Sequence, residues 1–467
     1  MRLLPIISLA LYPSLGLSQT TAITVDLTKT YQTISGFGFS QAFQRAVQLY
    51  KLAPAVRDKA VDIFFNTTSG AAFSILRNGI GSSPDSSSDH MNTILPRNPG
   101  SPSLAPAYVW DGNDSGQLWM SKQALAYGVK NFYANAWSAP GFMKTNGNDA
   151  GGGSLCGLAG ARCNSGDWRQ AYADYLIQYV KYYAQEGIPI THLGFLNEPE
   201  FTASYASMIS SGSQSAEFIK ILSPTLAANN LSSIKITCCD AEGWQSQAGM
   251  TQQIVSAGAE SLLGVVTSHP YTSQPGSPFN TRLPVWQTEW ADLNGGWTTA
   301  WYSNGGAGEG MTWATRIHSG LTSSNISGYF AWVGTQSGGT NEPLMRIDGA
   351  NVIVSKRVWA FGQFSRFVRP GAVRVATGGG TNLRISAFKN AADDDVMKGA
   401  LAVQVINSGT GATTVNIKVS GGTAATAVKA WVTDNTRDLN ETTATLGTDG
   451  SITGSVPARS MVSFVIS

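Results

Sequence analysis

The chain has 467 residues, of which 42% are hydrophobic and only 13% charged, with a formal net charge of +2. That length supports one large domain plus a small one, and the apolar share is enough for a sizeable core. The near-neutral balance excludes an electrostatic footprint for nucleic acid or for an anionic membrane surface.

Residues 1–18 read as a secretory signal. Arg2 gives the positive start, residues 3–15 the apolar core, and Gly16-Leu17-Ser18 the small-x-small cleavage site. The segment is too short to span a membrane, and no other stretch could span one. A secreted, extracellular protein is the expectation, and it sets the reading of the cysteines. Cys156 and Cys163 flank a Gly-rich turn and could close a small disulfide loop in an oxidising compartment. Cys238 and Cys239 are adjacent, their side chains alternate to opposite faces of a strand, and they read as buried thiols rather than ligands. Sequons at Asn66, Asn113, Asn230, Asn325 and Asn440 fit a glycosylated secreted protein.

Residues 22–27 alternate apolar and polar and predict a strand. Eight further strands are predicted at 34–42, 73–81, 131–137, 192–198, 235–241, 265–271, 284–289 and 328–333. Helix-length segments fall between most of them, at 55–65, 121–129, 168–185, 215–229, 250–257 and 307–321. The segment 168–185 shows the 3.6-residue period, with Tyr172, Tyr175, Leu176 and Tyr179 on one face. Eight βα units in succession argue for an α/β chain folded as a (β/α)8 TIM barrel. The rival, an open doubly wound sheet, lacks a Gly-rich dinucleotide fingerprint after an early strand. A helix at 356–367 follows, and Pro370-Gly371 breaks the pattern. Short alternating runs at 383–388, 400–407, 413–419, 428–433 and 461–467 then predict an attached antiparallel β-sandwich side domain. The strand at 22–27 has no place in a barrel opening near Gly36 and is expected to join that sandwich. The expected organisation is a signal peptide 1–18, an N-terminal strand 19–35, a catalytic barrel 36–369 and a β-sandwich 370–467.

The fourth predicted barrel strand is apolar through Leu193, Phe195 and Leu196 and then turns polar at Asn197-Glu198-Pro199, where proline stops ladder pairing. The seventh, Val285-Trp286-Gln287-Thr288-Glu289, repeats the pattern. Acidic tips at the C-terminal ends of barrel strands carry chemistry. A barrel brings these two to opposite sides of one mouth, where carboxyl groups about 5–5.5 Å apart can hydrolyse a glycosidic bond with retention. Glu200 is an internal competitor beyond Pro199. Trp137, Trp290, Trp332 and Tyr271 sit at or just past strand tips and are candidate sugar platforms, although core packing accounts for most of the 13 Trp and 15 Tyr. Four long loops, 82–108, 146–166, 292–306 and 334–343, would build a cleft around them. No His/carboxylate spacing suggests a metal, and no cofactor is called for.

More specific motifs accompany the acidic tips. They are Gly36-Phe37-Gly38-Phe39-Ser40, Leu76-Arg77-Asn78-Gly79-Ile80-Gly81, Trp137-Ser138-Ala139-Pro140 and Gln287-Thr288-Glu289. With the split C-terminal sandwich they resemble glycoside hydrolase family 30 over essentially the whole mature chain. Gln41-Ala42-Phe43-Gln44-Arg45-Ala46 and Trp110-Asp111-Gly112-Asn113-Asp114-Ser115-Gly116 resemble its fungal xylanase branch. The resemblance implies a monomeric retaining hydrolase of β-1,4-xylan or glucuronoxylan, with Glu198 as acid/base and Glu289 as nucleophile. Arg77 would hydrogen-bond the nucleophile, Asn197 would meet a sugar 2-hydroxyl, Tyr271 would orient Glu289, and His269 would hydrogen-bond within the cleft. Arg45 could clamp a uronate carboxylate through its forked guanidinium; the plainer alternative is a surface ion pair. Bacterial glucuronoxylanases of the family read the uronate from the loop after strand eight, and here residues 334–343 contain no arginine. The alternatives are an exo-acting xylobiohydrolase, a β-1,6-glucanase, a glucosylceramidase-like hydrolase, or a carbohydrate-binding protein.

Overall fold

The computed structural model describes residues 20–467 apart from Ser88 and Gly339. The expected signal peptide lies outside these residues. Among them, no helix is long and apolar enough to cross a membrane.

Eight parallel strands close into a barrel. They are β2 (Gly36–Ser40), β3 (Ile75–Ile80), β4 (Asn131–Ala136), β5 (His192–Gly194), β6 (Lys235–Ala241), β7 (Val265–Ser268), β8 (Val285–Gln287) and β9 (Gly328–Ser337). Each pairs with its successor, and β9 closes the ring against both β8 and β2. The strands are short and almost wholly buried, because helices cover the outside and side chains fill the inside. The covering helices are α1 (Arg45–Tyr50), α2 (Pro54–Phe65), α3 (Gln117–Ala126), α4 (Arg169–Gln185), α5 (Gly212–Ala228), α6 (Trp244–Ser256), α7 (Gly310–Ser323) and α8 (Lys356–Ser365). A loop rather than a helix joins β7 to β8. Past the closure, β10 (Pro343–Asp348) runs parallel beside β9 and turns into β11 (Asn351–Val354).

The barrel interior under the mouth is polar and tightly filled. A Cβ on Gly194 would lie 2.0 Å from the Asn135 side-chain oxygen and 2.8 Å from the Tyr133 hydroxyl, so only glycine fits there. That space lets Tyr133 reach up to the strand tips.

The second sheet has ten strands and is mostly antiparallel. Its central strand, β1 (Thr21–Thr33), comes from the N-terminus. Residues 21–26 pair parallel with β15 (Thr413–Ser420), and the opposite edge pairs antiparallel with β12 (Val373–Gly379). The remainder are β13 (Leu383–Lys389), β14 (Leu401–Asn407), β16 (Val428–Thr433), β17 (Asn440–Thr442), β18 (Ala444–Leu446), β19 (Ile452–Val456) and β20 (Ser460–Ile466). The sheet folds over its own core, which includes Ile23, Val25, Val403, Ile417 and Phe464. Helix α8 ties it to the barrel: the Gln363 amide donates to Thr433 Oγ1 at 2.9 Å and to the Met461 carbonyl at 3.2 Å.

Cys156 and Cys163 are disulfide-bonded. Cys238 and Cys239 are not free thiols: they are bonded to each other across a cis peptide, which brings their Cα atoms to 3.0 Å. The expectation of opposed side chains assumed a trans strand, where adjacent Cα atoms stand about 3.8 Å apart. Of the sequon asparagines, Asn113, Asn230, Asn325 and Asn440 are exposed, whereas the partly covered Asn66 donates its amide to Asp62.

Candidate active site

The barrel strands stop at their C-terminal ends in a ring of polar side chains. β5 ends at Gly194, and the chain continues through buried Phe195, Leu196 and Asn197 to Glu198. Glu198 has φ +48°, and its amide donates to the Asp240 carbonyl at 2.8 Å. Asp240, at the tip of β6, has φ +51°. A left-handed backbone costs a non-glycine residue about 1 kcal/mol or more, so two such positions touching each other mark a site where the fold overrides local preference.

Glu198 and Glu289 face one another across the mouth. One carboxylate oxygen of each, together with a ring nitrogen of His269, all lie within 4.8 Å. Arg77, on β3, organises the floor. It is fully buried, its Nη1 is 2.6 Å from Glu289 Oε2, and its Nη2 donates to Asn197 Oδ1 at 2.6 Å and to Asp240 Oδ1 at 3.3 Å. The Tyr271 hydroxyl donates to Glu289 Oε1 at 2.9 Å, so each nucleophile-candidate oxygen is held. On the other carboxylate, His269 Nδ1 lies 3.0 Å from Glu198 Oε1, and the Tyr205 hydroxyl donates to Oε2 at 3.2 Å.

Asp240 escaped the sequence reading, although it is an acidic residue near the end of a predicted strand, as Glu198 is. It is buried and accepts from the Tyr133, Thr267 and Thr288 hydroxyls as well as from Arg77. Burial opposes its charge, yet Arg77, His269 and Thr288 together hold it down to about 2. Burial likewise opposes a charge on His269, but Glu289, Asp240 and Glu198 outweigh burial and raise it to about 10. For Arg77 burial is again outweighed, by Asp240 and Glu289, and the guanidinium stays protonated. Burial raises the Glu289 carboxyl, against the downward pull of His269 and Arg77. Burial also raises the Tyr271 and Tyr205 phenols, with the carboxylates adding to it, so both remain hydrogen-bond donors. Glu198, His269 and Glu289 are donor types a metal could accept. Arg77, 2.6 Å from Glu289, already places a positive charge beside these atoms, and the set does not suit a dication.

Above this floor is a cavity of about 270 Å³. Trp137 and Trp332 border it and meet at an aromatic corner with Phe43, whose ring centroid is 5.5 and 5.9 Å from theirs. Arg45, the first residue of α1, also borders it, paired with Asp89 of the long 82–108 loop at 3.2 Å. The cleft position and the ion pair thus coexist at this residue. Two expected residues lie elsewhere. Trp290 does not border the cavity. It packs outward between Trp313, 4.2 Å away, and the Arg316 guanidinium at 3.8 Å, past the end of β8 and away from Glu289. Glu200 is exposed and does not border the cavity either. Sequence reasoning also missed Tyr205, Glu242 and Glu342 on the cavity wall; all three lie in irregular segments that no periodicity marks.

An O-glycosyl hydrolase family 30 model matches residues 20–255. The catalytic domain of a family 30 xylanase C from Talaromyces cellulolyticus is 46% identical, with a TM-score of 0.89 over 96% of this chain and 100% of that one. The endo-1,6-β-D-glucanase neg1 of Aspergillus fumigatus is 26% identical over 389 residues, 78% of this chain and 77% of that protein. Glucuronoxylanase XynC of Bacillus subtilis is 24% identical over 355 residues, 74% of this chain and 76% of that protein. The barrel with its side sheet, the paired glutamates at opposite strand tips and these similarities lead to one conclusion: the chain belongs to glycoside hydrolase family 30.

Proposed function

We propose that the protein is a secreted retaining glycoside hydrolase that cleaves the β-1,4 bonds of xylan by double displacement. The observation that carries the mechanism is the close approach of Glu198 and Glu289, with oxygens inside 4.8 Å. Inverting enzymes hold their carboxyl groups about 6.5–9.5 Å apart to admit a water, and retaining ones about 5–5.5 Å.

The donors around Glu289 support the roles. Arg77 and Tyr271 each hold one oxygen of Glu289, which fixes it in the position of a nucleophile and leaves Glu198 across the mouth as the acid/base. Glu289 then attacks the anomeric carbon while Glu198 protonates the leaving oxygen. In the second half Glu198 takes a proton from the water that breaks the glycosyl–enzyme ester. Asn197, whose oxygen is occupied by Arg77, keeps its amide N–H groups for a sugar 2-hydroxyl.

The likeness to xylanase C supports xylan as the substrate, and the glucanase similarity makes β-1,6-glucan the comparison to run. Proton NMR of xylohexaose hydrolysis should show the β-anomer first; the α-anomer first would overturn retention. Release of sugar from β-1,6-glucan faster than from xylan would overturn the substrate. Among the described residues Arg45 donates only through Nη1, to Asp89, so its guanidinium at the cavity wall retains donors for a uronate. Arg45→Ala should therefore reduce activity on glucuronoxylan several-fold more than on linear xylan, and equal losses would remove Arg45 from substrate reading.

A further inference from the structure

Among the described residues bordering the cavity, Arg45 is the only cation, set against Asp89, Glu198, Glu242, Glu289 and Glu342. Glu198 and Glu289 are each held by named donors, and Asp89 by Arg45. Glu342 is different. Its Oε2 is buried and has no hydrogen-bond partner among the described residues. A buried carboxylate oxygen without a donor is unfavourable by itself, so one retained in a binding cleft calls for a partner from outside the chain.

The backbone beneath Glu342 is fixed from both sides. Arg357, fully buried on α8, donates Nη1 to the Asn341 carbonyl at 2.6 Å and Nη2 to the Pro343 carbonyl at 2.8 Å. The Trp297 indole donates to the same Pro343 carbonyl at 2.9 Å, and the Asn341 amide donates to Asp292 at 2.7 Å. Burial brings Arg357 down to about 9, a measure of how unfavourable its setting is for a charge. The planar fork thus grips the two carbonyls that flank a single residue and holds that residue's side chain at the cavity wall.

We propose that Glu342 is a specificity-determining residue: its carboxylate, which has no protein donor among the described residues and borders the cavity, accepts a hydrogen bond from a hydroxyl of a neutral sugar unit, and its charge bars a uronic-acid substituent from that side of the cleft. The inference rests on the xylan reading above and adds which decoration is excluded. Arg45 and Glu342 border one cavity without forming an ion pair, so a decorated chain meets them as separate charges of opposite sign. A uronate would be accepted only when turned toward Arg45.

The test is kcat/KM for wild type, Glu342→Gln and Glu342→Ala on linear xylo-oligosaccharides and on the same oligosaccharides carrying one uronic acid. Both substitutions remove the charge, and both should raise the acidic-to-linear ratio about fivefold or more at low salt, with a smaller rise at high salt. On linear substrate Glu342→Ala should lose about 10- to 100-fold, mainly through KM, and Glu342→Gln less, because it keeps a hydrogen-bond acceptor. An unchanged ratio in both variants overturns the proposal while leaving the xylanase reading intact. A wild type that cleaves neither substrate overturns both.

Discussion

Arg77 is the residue on which the glutamates depend. Its two terminal nitrogens serve Glu289, Asn197 and Asp240 at once, and the faces of Tyr133 and Trp137 lie against the guanidinium, 5.7 and 4.5 Å from its carbon. A lysine there keeps the charge but offers one point donor on a flexible stem, so it cannot hold three partners in one plane. Arg77→Lys should therefore lower kcat by about 100-fold or more, in the range of losing a preorganised charge contact. The pH dependence gives the sharper reading. Burial pushes Glu289 up, and Arg77 is one of the two groups pulling it back down. Weakening that pull raises the Glu289 pKa further, so the acid limb of kcat/KM should move to higher pH. A limb that stays in place, or moves to lower pH, would show that Arg77 supports the fold without tuning Glu289.

At the scale of elements, the strands proved more legible than the loops, for a physical reason. A parallel strand buried on both faces reads as a short continuous apolar run, and its polar tip then stands out. Glu198 and Glu289 were visible for that reason. Asp240 was hidden because a carboxylate inside a strand end looks like any other polar stop. Helix starts shifted where the first turn lacks apolar periodicity: α3 begins at Gln117 and α6 at Trp244, earlier than the pattern suggested, since Gln117 and Gln247 are buried polar residues that bond backbone of neighbouring strands. Trp290 lies past the end of β8 and packs on Trp313 and Arg316 instead of lining the cleft. Its pattern said strand tip. Glu342 carried no sequence signal because its role depends on Arg357, fifteen residues further on, gripping the carbonyls on either side.

At the scale of the molecule, β1 and the C-terminal strand β20 belong to one sheet, and that sheet is welded to the barrel through α8. Arg366 donates to the Gly70 carbonyl, Arg369 to those of Ala72 and Ser365, and Gln363 to the strands of the side sheet. These contacts join the segment before β3 to the second domain without any flexible linker between them. β1 runs between β12 and β15, and its Ile23 and Val25 are fully buried, so the sheet cannot close without the N-terminal segment. Such coupling predicts that the side sheet and the barrel unfold together. Ile23→Ala removes a fully buried side chain from the side sheet's own core and should cost about 2–5 kcal/mol. Calorimetry of that variant should show a single transition at lower temperature, with loss of hydrolytic activity tracking it and kcat below the transition unchanged. Two separated transitions, with the barrel melting where the wild type does, would mean that the side sheet is an appendage and that α8 transmits none of its stability.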